Sequence, residues 1–202
     1  MRFIIVFISG YIIGSIPFSF LLGKMRGVDL RQVGSGNIGA TNLSRACGKG
    51  WGIAGFILDL LKGTASVWVG YYLSPANFNP VVLGITGGIG SVVGHIWTFV
   101  LKFKGGKGVA TSAGVFLGLA PVPLFSSAGV WILIFLVSGY VSLASILSAF
   151  SLPIWVYLLK RDPILLFLSI ITFLLIVYRH RENIKRLISG KENRFSTLWK
   201  KR

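Results

Sequence analysis

Between residues 31 and 45 the chain reads RQVGSGNIGATNLSR, joining Gly34, Gly36 and Gly39 to the side-chain donors of Ser35, Asn37, Thr41, Asn42 and Ser44. Arg31 and Arg45 flank the stretch, and it holds no carboxylate. Glycine lets backbone N–H groups converge, and many donors without a competing negative charge are what a bound phosphate requires. A second stretch, GHIWTFVLKFKGGKGVA from Gly94 to Ala110, sets Lys102, Lys104 and Lys107 among Gly105, Gly106 and Gly108. Ammonium groups there would neutralise an anion, and a helix starting at Val109 would add the partial positive charge of its amino terminus. The G-x-x-x-x-G-K-[ST] spacing of a P-loop is missing. A third stretch, YRHRENIKRL from Tyr178 to Leu187, carries His180, Glu182 and Asn183 among Arg179, Arg181, Lys185 and Arg186.

Each stretch has a plainer reading. The first would serve as a flexible connector, the lysines of the second as ordinary membrane-flanking charge, and the arginines of the third as lipid anchors. Donor density and paired glycines favour phosphate binding in the first two. In the third, Glu182 fits a structural ion pair, while His180 and Asn183 fit substrate contact. His95, beside Trp97, suits packing and a site role equally well. Asp59 and Lys62, three residues apart inside an apolar run, share a helical face and can neutralise each other.

The elements that must carry these stretches are membrane helices. Hydrophobic residues make up 53% of the chain and charged residues only 13%, against about a quarter charged in soluble domains. Apolar spans are predicted over 3–23, 51–73, 81–101, 109–120, 124–138, 141–159 and 163–178. The breaks are placed at Pro121, Pro123 and Gly139. The fold class is therefore all-α, one polytopic membrane domain over 1–202 with seven helices. Five helices and a re-entrant segment form the fallback, since 109–120 is shorter than the about 20 residues a span needs. Met1 to Gly23 reads as a retained first helix, with no A-x-A-like cleavage site. Cys47 is the single cysteine, and no Cys/His set has zinc spacing.

Lys and Arg total 21 against five acidic residues. These charges flank apolar spans, so anionic head groups and phosphorylated substrates are expected as partners, and nucleic acid is not. With the amino terminus outside, the loops at 24–50 and 102–108 and the tail from 179 carry seventeen Lys and Arg, against three on the other side. That positive-inside bias puts all three polar stretches on the cytoplasmic face. Convergence there into one donor-lined pocket is the expectation. The pairs Gly10/Gly14, Gly90/Gly94 and Gly114/Gly118 are each four apart and read as helix-packing positions.

The three stretches, GSGNIGATNLSR at 34–45, GHIWTFVLKFKGGKGVAT at 94–111 and HRENIKRL at 180–187, resemble the cytoplasmic motifs of the bacterial acyl-phosphate-dependent glycerol-3-phosphate acyltransferases. The resemblance covers essentially the whole chain. It implies acyl transfer from acyl phosphate to the sn-1 hydroxyl of glycerol 3-phosphate, giving lysophosphatidic acid and inorganic phosphate, in the bacterial inner membrane. It further implies catalytic roles for Ser35, Arg45, His180 and Asn183. Acyl phosphate would be held by Gly34, Ser35, Gly36, Asn37, Gly39, Thr41 and Asn42. Glycerol 3-phosphate would be held by Arg45, His95, Lys104, Gly105, Gly106, Lys107 and Gly108, with Glu182 structural. No cofactor or metal is implied, membrane lipid is the surrounding partner, and a monomer is the working expectation. The H-x-x-x-x-D dyad of other acyltransferases is absent: Val100 follows His95 by five residues and Lys185 follows His180. An anion transporter is the rival reading, but its site is expected near the bilayer midplane.

Overall fold

The computed structural model describes residues 1–195, and all the regular elements among them are helical. The chain forms two compact units, one over Met1–Leu119 and one from Ala120 onward.

The first unit holds α1 (Arg2–Ser15), α2 (Phe18–Met25), α3 (Ala40–Cys47), α4 (Lys49–Tyr72), α5 (Pro80–Ile96) and α6 (Val109–Leu119). The single helix expected over 3–23 is broken at Pro17, which lacks an N–H and holds Ile16 in extended backbone (φ −67°, ψ 113°). Helix α5 starts on Pro80 with Asn79 as its cap, the side chain accepting from the Val81 N–H at 3.0 Å. It ends at Ile96, five residues short of the predicted boundary, and a 3-10 turn over Phe99–Leu101 follows. Close backbone approach holds these helices together. A Cβ on Gly10 would lie 2.2 Å from Gly87 O, and one on Gly94 2.2 Å from Tyr11 O, both between α1 and α5. One on Gly114 would meet Leu60 O of α4. The three glycine pairs thus do the packing read from their spacing.

The second unit holds α7 (Pro121–Ser138), α8 (Val141–Leu159), α9 (Pro163–Arg179) and α10 (Arg181–Ile188). The break expected at Pro121 and Pro123 falls at Ala120 (φ −150°, ψ 70°), and both prolines occupy the first turn of α7, where no N–H is needed. Asp162 caps α9 by accepting from Ile164 N at 2.8 Å and Leu165 N at 3.0 Å. Helix α10 turns away from α9 by 61°.

Among the described residues, five helical spans are long and apolar enough to cross a membrane: Arg2–Met25, Lys49–Tyr72, Pro80–Leu101, Pro121–Ser138 and Val141–Leu159. The bent α9–α10 pair makes a sixth when taken as one span. Helix α6, with 11 residues, is about 16 Å long at 1.5 Å per residue, roughly half the hydrocarbon core. It does not qualify as the seventh span expected from the sequence.

Candidate active site

The first stretch folds as a loop closed by one side chain. Asn42, in the first turn of α3, is 1% exposed. Its Nδ2 donates to Leu30 O at 2.9 Å and to Val33 O at 3.0 Å, while its Oδ1 accepts the Ser35 N–H at 3.0 Å. Every polar atom of the amide is engaged within the loop, which corrects the expectation that Asn42 donates to substrate. Gly34 has φ +58°, and a Cβ there would stand 2.3 Å from Asn42 Oδ1. The Gly36 N–H goes to Val33 O at 3.0 Å, and the Gly39 N–H goes to Asn37 Oδ1 at 2.9 Å. These three amides shape the loop, so they are not donors held ready for an anion. The residues 40–47, expected as part of the loop, form α3, which directs the N–H groups of its first turn, at Ala40 and Thr41, out of the helix. Thr41 and Arg45 lie one turn apart on α3, on one face.

Arg31 does not offer free charge beside this loop. Asp29 accepts its Nε at 3.0 Å and its second guanidinium nitrogen at 2.7 Å, and Lys24 joins the same carboxylate at 2.9 Å. These bonds, first from Arg31 and then from Lys24, hold the Asp29 carboxyl well below the usual carboxylate range, and the same pairing raises Arg31.

The second stretch returns onto the end of α5. The Gly105 N–H bonds Ile96 O at 3.0 Å and the Gly106 N–H bonds His95 O at 3.1 Å, capping carbonyls that the helix end leaves open. A Cβ on Gly105 would lie 2.0 Å from His95 O, and one on Gly106 2.2 Å from His95 Nε2, so no larger residue fits. The glycine pair therefore closes the loop on α5, and its amides are not the open cradle suggested by composition. His95 is buried behind the loop, its ring between Gly106 and Asp59 (Nδ1 to Oδ1 3.7 Å). Gly108 (φ +86°) leads into α6, Lys104 is exposed, and Lys107 is half-buried.

The two loops stand side by side. Phe20, Leu30, Ile38 and Leu43 form a buried apolar cluster under the first loop, and Leu101 of the second packs against it with Val28, Val33 and Trp51. The amino termini of α3 and α6, and the cations Arg45, Lys104 and Lys107, thus belong to neighbouring loops of one unit.

The third stretch lies in the second unit. His180, 3% exposed, sits at the α9–α10 joint with Nδ1 2.8 Å from Ile176 O. A carbonyl can only accept, so Nδ1 carries a proton in this contact. Asn183 is buried and donates to Glu192 Oε1 at 2.7 Å. The same oxygen accepts the Ser142 hydroxyl at 2.8 Å, and Arg186 Nε lies 2.8 Å from Oε2. Burial works to raise the Glu192 carboxyl, but the bonds from Asn183, Arg186 and Ser142 outweigh it and leave the group below its ordinary value. Glu182, expected as the structural acid, is exposed and pairs at the surface with Lys185 at 3.3 Å. The buried structural carboxylate of this segment is Glu192.

Against this geometry, the sequence profile of glycerol-3-phosphate acyltransferases matches residues 4–190. The chain belongs to the glycerol-3-phosphate acyltransferase family. A relative of that name from Geotalea daltonii is 43% identical over 192 residues, 95% of this chain and 97% of its own. One from Aquifex aeolicus is 44% identical over 195 residues, 96% of this chain and 100% of its own. The crystal structure of PlsY, an integral membrane glycerol 3-phosphate acyltransferase, in its glycerol 3-phosphate form matches with a TM-score of 0.90 and 42% identity, covering 98% of each chain. Its lysophosphatidic acid form gives 0.88 and 40%, covering 98% of this chain and 97% of that one.

Within this family member the acyltransferase loops have a polar foundation that their own sequence does not reveal. Asp59 and Lys62 form an ion pair at 2.8 Å, both nearly inaccessible. The pair is not self-contained. Asp59 Oδ2 accepts the Ser19 hydroxyl at 2.7 Å, and Lys62 Nζ donates to Ile16 O at 2.8 Å, at the break ahead of Pro17. Spacing announced the pair; only the fold could add Ser19 and His95.

Proposed function

We propose that the chain transfers a fatty acyl group from acyl phosphate to the sn-1 hydroxyl of glycerol 3-phosphate at the cytoplasmic face of a bacterial inner membrane. The observation that supports this most is that Leu101 of the second loop packs on the apolar cluster beneath the first, so that the loops leading to Arg45 and carrying Lys104 and Lys107 are neighbours within one unit. Ser35, with its hydroxyl outside the amide clamp, and the first turn of α3 at Thr41 hold the acyl phosphate. Arg45, Lys104 and Lys107 hold glycerol 3-phosphate. The hydroxyl oxygen attacks the acyl carbonyl carbon, an ester C–O bond forms, and the C–O bond to phosphate breaks with its electron pair leaving on phosphate. The proton passes to a substrate phosphate oxygen, a weak base being enough for so activated a donor. Positioning and charge neutralisation then do most of the work. His180 and Asn183 are proposed as catalytic residues that raise turnover, His180 without acting as the general base. The amino terminus lies outside, which agrees with the seventeen-to-three bias in Lys and Arg.

The test is lysophosphatidic acid formation by the purified full chain in detergent, with phosphate release read for palmitoyl phosphate and thiol release read for palmitoyl-CoA or palmitoyl-acyl carrier protein as donor. Release from acyl phosphate alone, dependent on glycerol 3-phosphate, is expected. A transporter would show none without sealed vesicles, and transfer only from the thioester donors would overturn the donor assignment.

A further inference from the structure

The buried carboxylate of Asp59 sits where the two loop-bearing arms of the first unit meet. Through Ser19 it holds α2, the helix that runs directly into the loop ahead of α3. Its other oxygen faces Nδ1 of His95, the penultimate residue of α5, at 3.7 Å. His95 in turn binds the second loop: its carbonyl takes the Gly106 N–H, and its ring edge lies where a Cβ on Gly106 would be. Lys62 neutralises the carboxylate and ties it to Ile16 O, a carbonyl at the proline break that also accepts the Phe18 N–H. Thr98 completes the same seam by donating to Ser15 O at 2.6 Å. An ion pair kept out of lipid needs a reason, because apolar side chains of similar volume are commonly as stable or more so.

We propose that Asp59 is a positioning residue that fixes the acyl-phosphate loop and the glycerol-3-phosphate loop relative to each other, through Ser19 on one side and His95 on the other. It touches neither substrate. This rests on the assignment of the two loops made above. The consequence is specific: each loop keeps its own internal closure, through Asn42 in the first and the Gly105–Gly106 return in the second. Loss of Asp59 therefore leaves each substrate's binding nearly intact and disturbs the distance between reactants, which is felt in the transition state.

The decisive variant is Asp59→Leu/Lys62→Met in the full chain, which removes both charges together and leaves no buried ion unpaired. Expected are a melting temperature at or above that of the parent and Michaelis constants for both substrates within about threefold. The turnover number should be lower by about tenfold or more, as misplacement by an ångström costs on that order or more. Amide hydrogen exchange without substrate should quicken in both 26–39 and 99–108. Turnover within twofold of the parent, or faster exchange in one loop only, overturns the proposal. Ser19→Ala decides the matter if the double variant does not fold: a severalfold loss of turnover at unchanged melting temperature supports it, and unchanged turnover and exchange overturn it. Absence of turnover in the parent would sink the functional assignment instead, while the exchange measurement would still judge the coupling of the loops.

Discussion

Replacing Asn42 with alanine separates a frame residue from a substrate ligand. The side chain makes three hydrogen bonds of 2.9 to 3.0 Å to Leu30, Val33 and Ser35, in a place that is 1% exposed. At about 1 kcal/mol net for each bond, the closed loop loses ~3 kcal/mol, and leaving buried carbonyls unpaired adds to this. That is about two decades in the ratio of closed to open loop. If the loop opens together with its unit, the melting temperature falls by about 6 to 12 °C for a chain of this size. Asn42→Asp should be no better, because a carboxylate has no proton to give Leu30 O and Val33 O. The assay pairs thermal unfolding and hydrogen exchange over 30–36 with turnover in detergent, with stability and turnover expected to fall together. Lost turnover with unchanged melting temperature and unchanged exchange would refute this reasoning and turn the amide toward the acyl phosphate.

Gly106→Ala should abolish turnover while leaving far-ultraviolet circular dichroism unchanged, because its methyl group cannot coexist with the His95 ring; activity above about a tenth of the parent would show that the loop can yield. Glu192→Gln should lower the melting temperature at neutral pH and flatten its fall in acid. The sign follows from a carboxyl held below its ordinary value of 4.5: its contribution is present above that value and is lost as pH falls through the lower, folded one. Glu182→Gln, at the surface, should change stability by no more than about 1 kcal/mol at any pH, read from the same melts. His180→Gln should keep part of the turnover if a substrate phosphate takes the proton; a rate near the uncatalysed one with glycerol 3-phosphate binding intact, measured by calorimetry, would make His180 the general base.

What the sequence made legible is what short-range chemistry controls. Val141–Leu159 matches its predicted boundaries, because Gly139 and the apolar run define them without help from elsewhere. The packing glycines were readable from a four-residue period alone. Pro17 was not read as a break, since a proline inside an apolar run is often tolerated in membrane helices; here Lys62, 46 residues on, donates to the Ile16 carbonyl at the break. Helix α3 was hidden because only Asn42 and Leu43 of its eight residues are buried, too few to show a helical period. Glu192 was missed although a signal was present. Gly190 follows α10 in the left-handed region (φ +68°), and Lys191 N–H returns to Arg186 O at 2.8 Å. A glycine just past a helix announces a reversal of this kind, which brings the next carboxylate back along α10.

The loops also show why glycine-rich composition is a poor guide to which atoms meet a phosphate. Of the amides that the sequence offered as a cradle, those of Ser35, Gly36, Gly39, Gly105 and Gly106 are all hydrogen-bonded within the protein. The glycines are there because chain must pass close to Asn42, to the end of α5 and to the His95 ring, where a Cβ would collide. In the proposed function, phosphate recognition then falls to groups the loops carry at their ends: the opening turns of α3 and α6, and the charges of Arg45, Lys104 and Lys107. A frame whose own hydrogen bonds are complete needs little reorganisation when the reactants arrive, and that is the condition under which fixed dipoles and cations stabilise a departing phosphate best. It follows that substitutions at the loop glycines should depress the turnover number, while substitutions at the cations should raise Michaelis constants, two classes of defect that composition alone would have merged.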